Sequence, residues 1–286
     1  MRTAKAFEKT MNLIFTACGF ITLIFVILIT VFLLASGVPA IGKIGIVKFL
    51  CGTVWSPTAS SPLYGILPFI LTSVYGTLGA VILGVPLGIL CAVHIAKMVP
   101  GKCSQAITAA VELLSGIPSV VYGLVGMIIV VPLIRDTFGL ADGANLLSAI
   151  LVLSIMILPS VISVSKTAIE AVPKEYEEGS LALGATKTET VFKVVVPAAK
   201  SGVLTSVVLG MGRAIGEAMA VMMVSGNVAN MPGIFKSVRF LTTAVASEMS
   251  YSSGLQREAL FSIALVLFVF ILIINLALNA VKKKKG

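Results

Sequence analysis

The stretch Glu178-Gly-Ser-Leu-Ala-Leu-Gly-Ala-Thr-Lys-Thr-Glu-Thr-Val-Phe-Lys-Val-Val-Val-Pro197 closes the most polar segment of this 286-residue chain, Lys166 to Pro197. Apolar runs flank that segment on both sides, at about 146–165 and 198–225. A polar loop between two such runs is usually a connector, but this one carries its own helix signals. Pro173 sits at a helix start, and Glu175, Glu177 and Glu178 follow in the first turn, where proline and acids are both favourable. Tyr176, Leu181 and Leu183 supply apolar contacts. Gly184 interrupts the helix, Thr186 can cap a second short one ending near Phe192, and Pro197 opens the next apolar run. Two short helices at a membrane surface make a knob that a soluble partner can grip.

Moving outward, the composition fixes the solvent. Hydrophobic residues make up 58% of the chain and charged residues 12%, with a mean hydropathy of +1.08. A soluble domain is about a quarter charged, so lipid must face most of this chain. The first run, Asn12 to Ala35, spans about 36 Å as a helix and reads as a retained anchor, too long for a signal-peptide core. Further runs at about 67–95, 113–134, 146–165, 198–225 and 259–281 bring the total to six, an all-α polytopic bundle. Residues 36–65, with Gly37, Pro39, Gly42, Gly45, Trp55, Pro57 and Pro62, read as a loop with short interfacial pieces. Gly84 with Gly88, and Gly212 with Gly216, have the spacing of close helix packing. Pro68, Pro86, Pro118 and Pro159 read as kinks.

The net charge of +9 does not form a nucleic-acid patch. With the termini placed in the cytoplasm, fourteen of the 21 basic residues fall inside and six outside, so both termini inside is the preferred orientation. Lys282 to Lys285 carry much of that count. Cys18, Cys51, Cys91 and Cys103 offer no disulfide framework, and the single His94 cannot build a metal or catalytic cluster. The nearest approach to a P-loop, Gly101-Lys102-Cys103-Ser104, has Ala96 in place of the first glycine and Cys103 in place of the magnesium-binding hydroxyl.

Within the run 198–225 stand Arg213 and Glu217. A lone charge at that depth costs at least ~2.5–3.5 kcal/mol on insertion scales. Four residues apart on one helix, the two can pair. A structural ion pair and a place on an anion path are both open for them. Glu112 and His94 read as interfacial residues.

The loop motif resembles the signature of ABC importer permeases: Glu-Ala-Ala, three residues, Gly, nine residues, Ile-x-Leu-Pro. Here Gly179 and Ser180 replace the two alanines, while Gly184 and Pro197 keep their spacing. The resemblance covers about residues 70–280 and implies a type I importer permease fold. It implies an anchor helix and external loop over 1–69 and a permease domain over 70–282, with a coupling loop at about 170–197. Glu178, Gly179, Ser180, Leu181, Gly184, Ala185, Thr186 and Pro197 would then couple to an ATPase. The run Gly210-Met-Gly-Arg213-Ala-Ile-Gly-Glu217-Ala-Met-Ala-Val-Met-Met-Val-Ser-Gly-Asn227 is similar to the PstC branch of phosphate-specific permeases, as are Glu112 to Gly123 and Glu178 to Thr186. The resemblance further implies a multi-pass permease of the bacterial plasma membrane, not an enzyme and with no cofactor of its own. A PstB-like ATPase dimer would carry ATP and magnesium, a PstA-like sister would complete the pore, and a PstS-like extracytoplasmic protein would deliver phosphate. A sulfate or molybdate permease, the PstA role, and an ion-coupled secondary transporter are the alternatives.

Overall fold

The computed structural model describes residues 2–285, with side chains described for 8–277 and 280. The lysine tail Lys282 to Lys285, on which the orientation count leans, therefore lies outside the described side chains. Among the described residues, five helical segments are long and apolar enough to cross a bilayer: Glu8–Ile44, Leu67–Met98, Ser119–Phe138, Leu146–Glu170 and Gly254–Ala277. The pair Lys187–Ala198 and Lys200–Gly216, bent by 71°, is a sixth crossing if taken as one.

Helix α1 runs Arg2–Ile44, nine residues further than the apolar run suggested. Gly37, Pro39 and Gly42 do not end it. In lipid a broken helix strands backbone groups with no water to satisfy them, so glycine and proline are tolerated inside membrane helices. Gly37 is also where α1 meets the last helix, α14 (Gly254–Lys285). A Cβ at Gly37 would lie 3.0 Å from the Phe261 carbonyl oxygen. Ser262 Oγ donates to the Gly37 carbonyl, Phe32 meets Phe261 edge-on at 5.5 Å, and Lys43 pairs with Glu258 at 2.7 Å. Beyond α1 come a short helix α2 (Ile46–Cys51) and a two-residue-per-strand hairpin, β1 (Trp55–Ser56) against β2 (Leu63–Tyr64).

Helix α3 (Leu67–Val93) begins at its proline: Pro68 stands in the first turn and bends nothing. It continues through a wide turn, His94–Met98, into α4 (Gly101–Ser115). The third apolar run was expected from residue 113. It starts at Ser119, because Pro118 lies at the cap of α5 (Ser119–Val125) instead of kinking a longer helix. Glu112 consequently belongs to α4. After a wide turn at Gly126–Val130, α6 (Val131–Phe138) completes that crossing.

Helix α7 (Leu146–Glu170) is the centre of the bundle, with Leu153, Met156, Ile157 and Val161 fully buried. Gly84 and Gly88 of α3 face it: added Cβ atoms would come within 2.9 Å of Ile157 Cδ1 and 2.7 Å of Val161 Cγ1. Close approach of this kind holds membrane helices together by dispersion, since lipid offers no hydrophobic drive between them. Gly212 and Gly216 meet nothing within 4 Å, so that pair does not pack inside this chain. The first turn of α7 is capped from a distance. Asn145 Oδ1 accepts from Ser148 N, while Leu146 N and Leu147 N donate to the carbonyls of Lys236 and Ile234.

Candidate functional site

The polar loop after α7 is built as its residues suggest, with two corrections. Helix α8 spans Lys174–Ala182; Pro173 is its cap, not its first residue, and the first-turn acids are Glu175 and Glu177. Gly184 stops it at φ 88°, a left-handed conformation that costs a residue with a Cβ ~1–2 kcal/mol. Thr186 then caps α9 (Lys187–Thr190) through a reciprocal box: Glu189 N donates to Thr186 Oγ1, and Thr186 N donates to Glu189 Oε2. These bonds and Lys193 hold the Glu189 carboxyl down to about 2 from its ordinary 4.5. The second correction concerns Phe192 and Pro197. The helix does not end near Phe192 but widens into a five-residue turn, Val191–Val195, and runs on as α10 (Val196–Ala198). Pro197 stands in the first turn of α10, directly after the wide turn, where its missing amide costs least, and the chain bends only after Ala198 into α11 (Lys200–Gly216).

The resulting knob is firmly seated at its base and bare at its tip. Val191 and Val195 are buried with Ile169, Val172 and Ala199 against the near ends of α3, α7 and α11. Ser180 and Thr190 share a hydroxyl hydrogen bond of 2.9 Å that ties α8 to α9. Glu177 pairs with Lys97 on the turn closing α3. No residue of α8 is buried, and Leu183 beside Gly184 is 90% exposed. Glu178, Gly179, Ser180, Leu181, Gly184, Ala185 and Thr186 thus sit together on one projecting turn, with Pro197 at its root.

The intramembrane charges do not stand as expected. The helix breaks at Glu217, whose backbone is extended (φ −72°, ψ 129°), and a separate α12 (Met219–Val224) follows. The break redirects the Glu217 carboxylate: Oε1 accepts from Ala220 N at 2.9 Å, and the Glu217 carbonyl accepts from Thr242 Oγ1 at 2.7 Å. Arg213 and Glu217 consequently form no ion pair. Arg213 instead donates from Nη1 to Ser160 Oγ on α7 at 3.1 Å, and that hydroxyl is its hydrogen-bond partner among the described residues. It lies thirteen residues beyond Lys200, roughly 20 Å along α11. Ser160 was not singled out in the sequence; nothing local marks a serine that meets an arginine 53 residues away.

A second arginine, Arg239, is a structural centre that the sequence did not reveal. Arg239 pairs with Glu248, donates from Nε and Nη2 to the Asn227 carbonyl, and stands 5.9 Å from the centre of the Phe69 ring. Trp55 Nε1 and Gln256 Nε2 also donate to Glu248, whose helix α13 runs Leu241–Glu248. Asn227 itself is left-handed at φ 50°.

The chain matches the family described as binding-protein-dependent transport system inner membrane component over residues 84–285. It is 40% identical, over 92% of its length and 88% of the relative, to the probable ABC transporter permease protein YqgH of Bacillus subtilis. The phosphate transport system permease protein PstC of Pasteurella multocida is 33% identical, covering 84% of this chain and 82% of that protein. PstC 2 of Mycobacterium tuberculosis is 31% identical over 98% and 93%. Among solved structures, the inward-facing MetNI methionine ABC transporter superposes with a TM-score of 0.61 at 19% identity, covering 77% of this chain and 96% of that chain; it is alike in fold.

Proposed function

Because the chain belongs to the binding-protein-dependent transport system inner membrane component family and is an ABC importer permease, we propose that its cargo is inorganic phosphate. Two PstC proteins among its relatives support this reading, as does one feature of the site. Arg213 sits in the last turn of α11, about 20 Å from its start, held by one neutral hydroxyl and by no carboxylate. Its remaining guanidinium donors are free for an oxyanion, and the planar fork matches phosphate oxygens. Without a partner such a charge is costly in lipid, which makes a functional role the default reading.

In this reading the permease lies in the bacterial plasma membrane with both termini cytoplasmic, 1–69 forming an anchor and external loop and 70–282 the permease domain. A PstS-like protein delivers phosphate to the outer loops, and a PstA-like sister completes the pore. A PstB-like ATPase dimer binds ATP and magnesium and grips the knob of Glu178 to Thr186. Because the knob rests on the near ends of α3, α7 and α11, its displacement rotates those helices together, and the pore alternates between its two faces. Glu217 acts by capping α12, which keeps its charge away from Arg213.

The test is ATP-dependent uptake into proteoliposomes holding the whole assembly. Phosphate uptake withstands excess sulfate or molybdate, and Arg213→Gln abolishes it while all subunits still co-purify. Competition by sulfate or molybdate reassigns the cargo, and normal uptake by Arg213→Gln removes that residue from the path.

A further inference from the structure

A cleft of about 490 Å³ opens at the end of α1, lined by Lys43, Lys48, Thr53, Leu63, Tyr64 and Leu255 among others. It lies at the membrane end opposite the coupling knob, since α1 ends there, α3 begins there, and α7 starts at that same end before running to the knob. Its depth can be counted. The continuous apolar run of α1 ends at Ala35, and Lys43, the first charge after it, is eight residues further, about 12 Å along the helix. Hydrocarbon fills ~30 Å of a bilayer, and headgroups add several ångströms on each side, so the cleft stands at headgroup level.

Its chemistry suits that level. Lys43 is neutralised by Glu258 at 2.7 Å. Lys48 has no ion-pair partner among the described residues, and the Thr53 and Tyr64 hydroxyls have no hydrogen-bond partner there either. Three unengaged donors thus border one hollow, beside a fixed lysine–glutamate pair. Ile44, Val54, Pro62, Leu63 and Leu255 make its rim apolar, and beside it on α2 Ile46 and Val47 are 60% and 69% exposed. A short helix with bare aliphatic residues, a free ammonium and neighbouring Trp55 and Tyr64 is suited to lie in the interface.

We propose that this cleft holds the headgroup of an anionic phospholipid, with the phosphodiester on Lys48, Thr53 and Tyr64 and the acyl chains against Ile46 and Val47. The charge balance selects the lipid: one uncompensated cation at headgroup depth fits one anion. The apolar rim gives the acyl chains a place that free phosphate would leave bare. The site is independent of the cargo.

The experiment is native mass spectrometry of the complete assembly released from nanodiscs made with phosphatidylglycerol, phosphatidylcholine or equal parts of both. The wild type retains phosphatidylglycerol in preference to phosphatidylcholine. Lys48→Gln lowers that retention about fivefold, the equivalent of the ~1 kcal/mol a basic side chain contributes at an anionic surface. Lys48→Glu lowers it further, and Lys48→Arg keeps it. Co-purification of all subunits shows that the variants assemble. Equal retention by wild type and Lys48→Glu overturns the proposal, as does equal retention of the two lipids. Displacement of the bound lipid by millimolar inorganic phosphate also overturns it, because the site would then be one for the free anion.

Discussion

Arg213 and Arg239 are both folded into the same helical bundle, and they have opposite surroundings. Arg239 is saturated: a carboxylate, a backbone carbonyl and an aromatic face share its donors and charge, and its side chain is only 16% exposed. Arg213 meets one serine hydroxyl. A saturated arginine holds structure, because every group around it is matched. An arginine kept in a membrane crossing with donors to spare holds little, and under the proposed function its cost is offset by the anion it meets.

The sharpest way to break that contrast is to remove each charge in turn. Arg239→Ala leaves Glu248 half-buried without its cation, and stability in detergent falls by ~3 kcal/mol, read from chemical denaturation. Arg213→Gln leaves the denaturation midpoint in place. If both variants unfold alike, the two arginines are doing the same job. The Gly184→Ala variant tests the knob: a left-handed turn forced on alanine costs ~1–2 kcal/mol locally. ATPase activity of the assembly should lose its stimulation by loaded binding protein while basal turnover stays. Ser160→Ala sharpens the contrast from the other side. Losing one hydrogen bond worth ~1 kcal/mol should raise the KM for phosphate about fivefold with little change in kcat.

The smallest effect concerns Glu189, outside the membrane. Its pKa of about 2 lies below its ordinary 4.5. Its contribution is therefore complete above about 4.5 and fades as pH falls toward about 2. Hydrogen exchange at 186–190, corrected for intrinsic rates, should loosen over that window in the wild type and stay flat in Glu189→Gln.

Much of the architecture could be read from the sequence because it is local or set by the solvent. Twenty-four uncharged residues must cross lipid, and Gly184 and Thr186 stop and start helices using their own neighbours. Five of the six crossings, the cap at Thr186 and the packing of Gly84 and Gly88 came out so, while the sixth is a pair of helices bent by 71°. The features that escaped were non-local. The break at Glu217 interrupts an apolar run whose composition is continuous, and the carbonyl it exposes is satisfied by Thr242, 25 residues on. The Arg239 centre draws on Phe69, Asn227 and Glu248, which no spacing rule joins. At Gly37 and Pro39 the usual stop signals misled, because those signals are calibrated where water can take up a freed backbone group.

The contact between the first and last helices sets an order for biogenesis. Ser262 and Phe261 reach Gly37 across 225 and 224 residues, so α1 has to wait in the lipid through almost the whole of translation before its partner emerges. Until α14 is in the membrane, Gly37, Phe32 and Lys43 of α1 lack the Ser262, Phe261 and Glu258 contacts that tie that helix to the bundle.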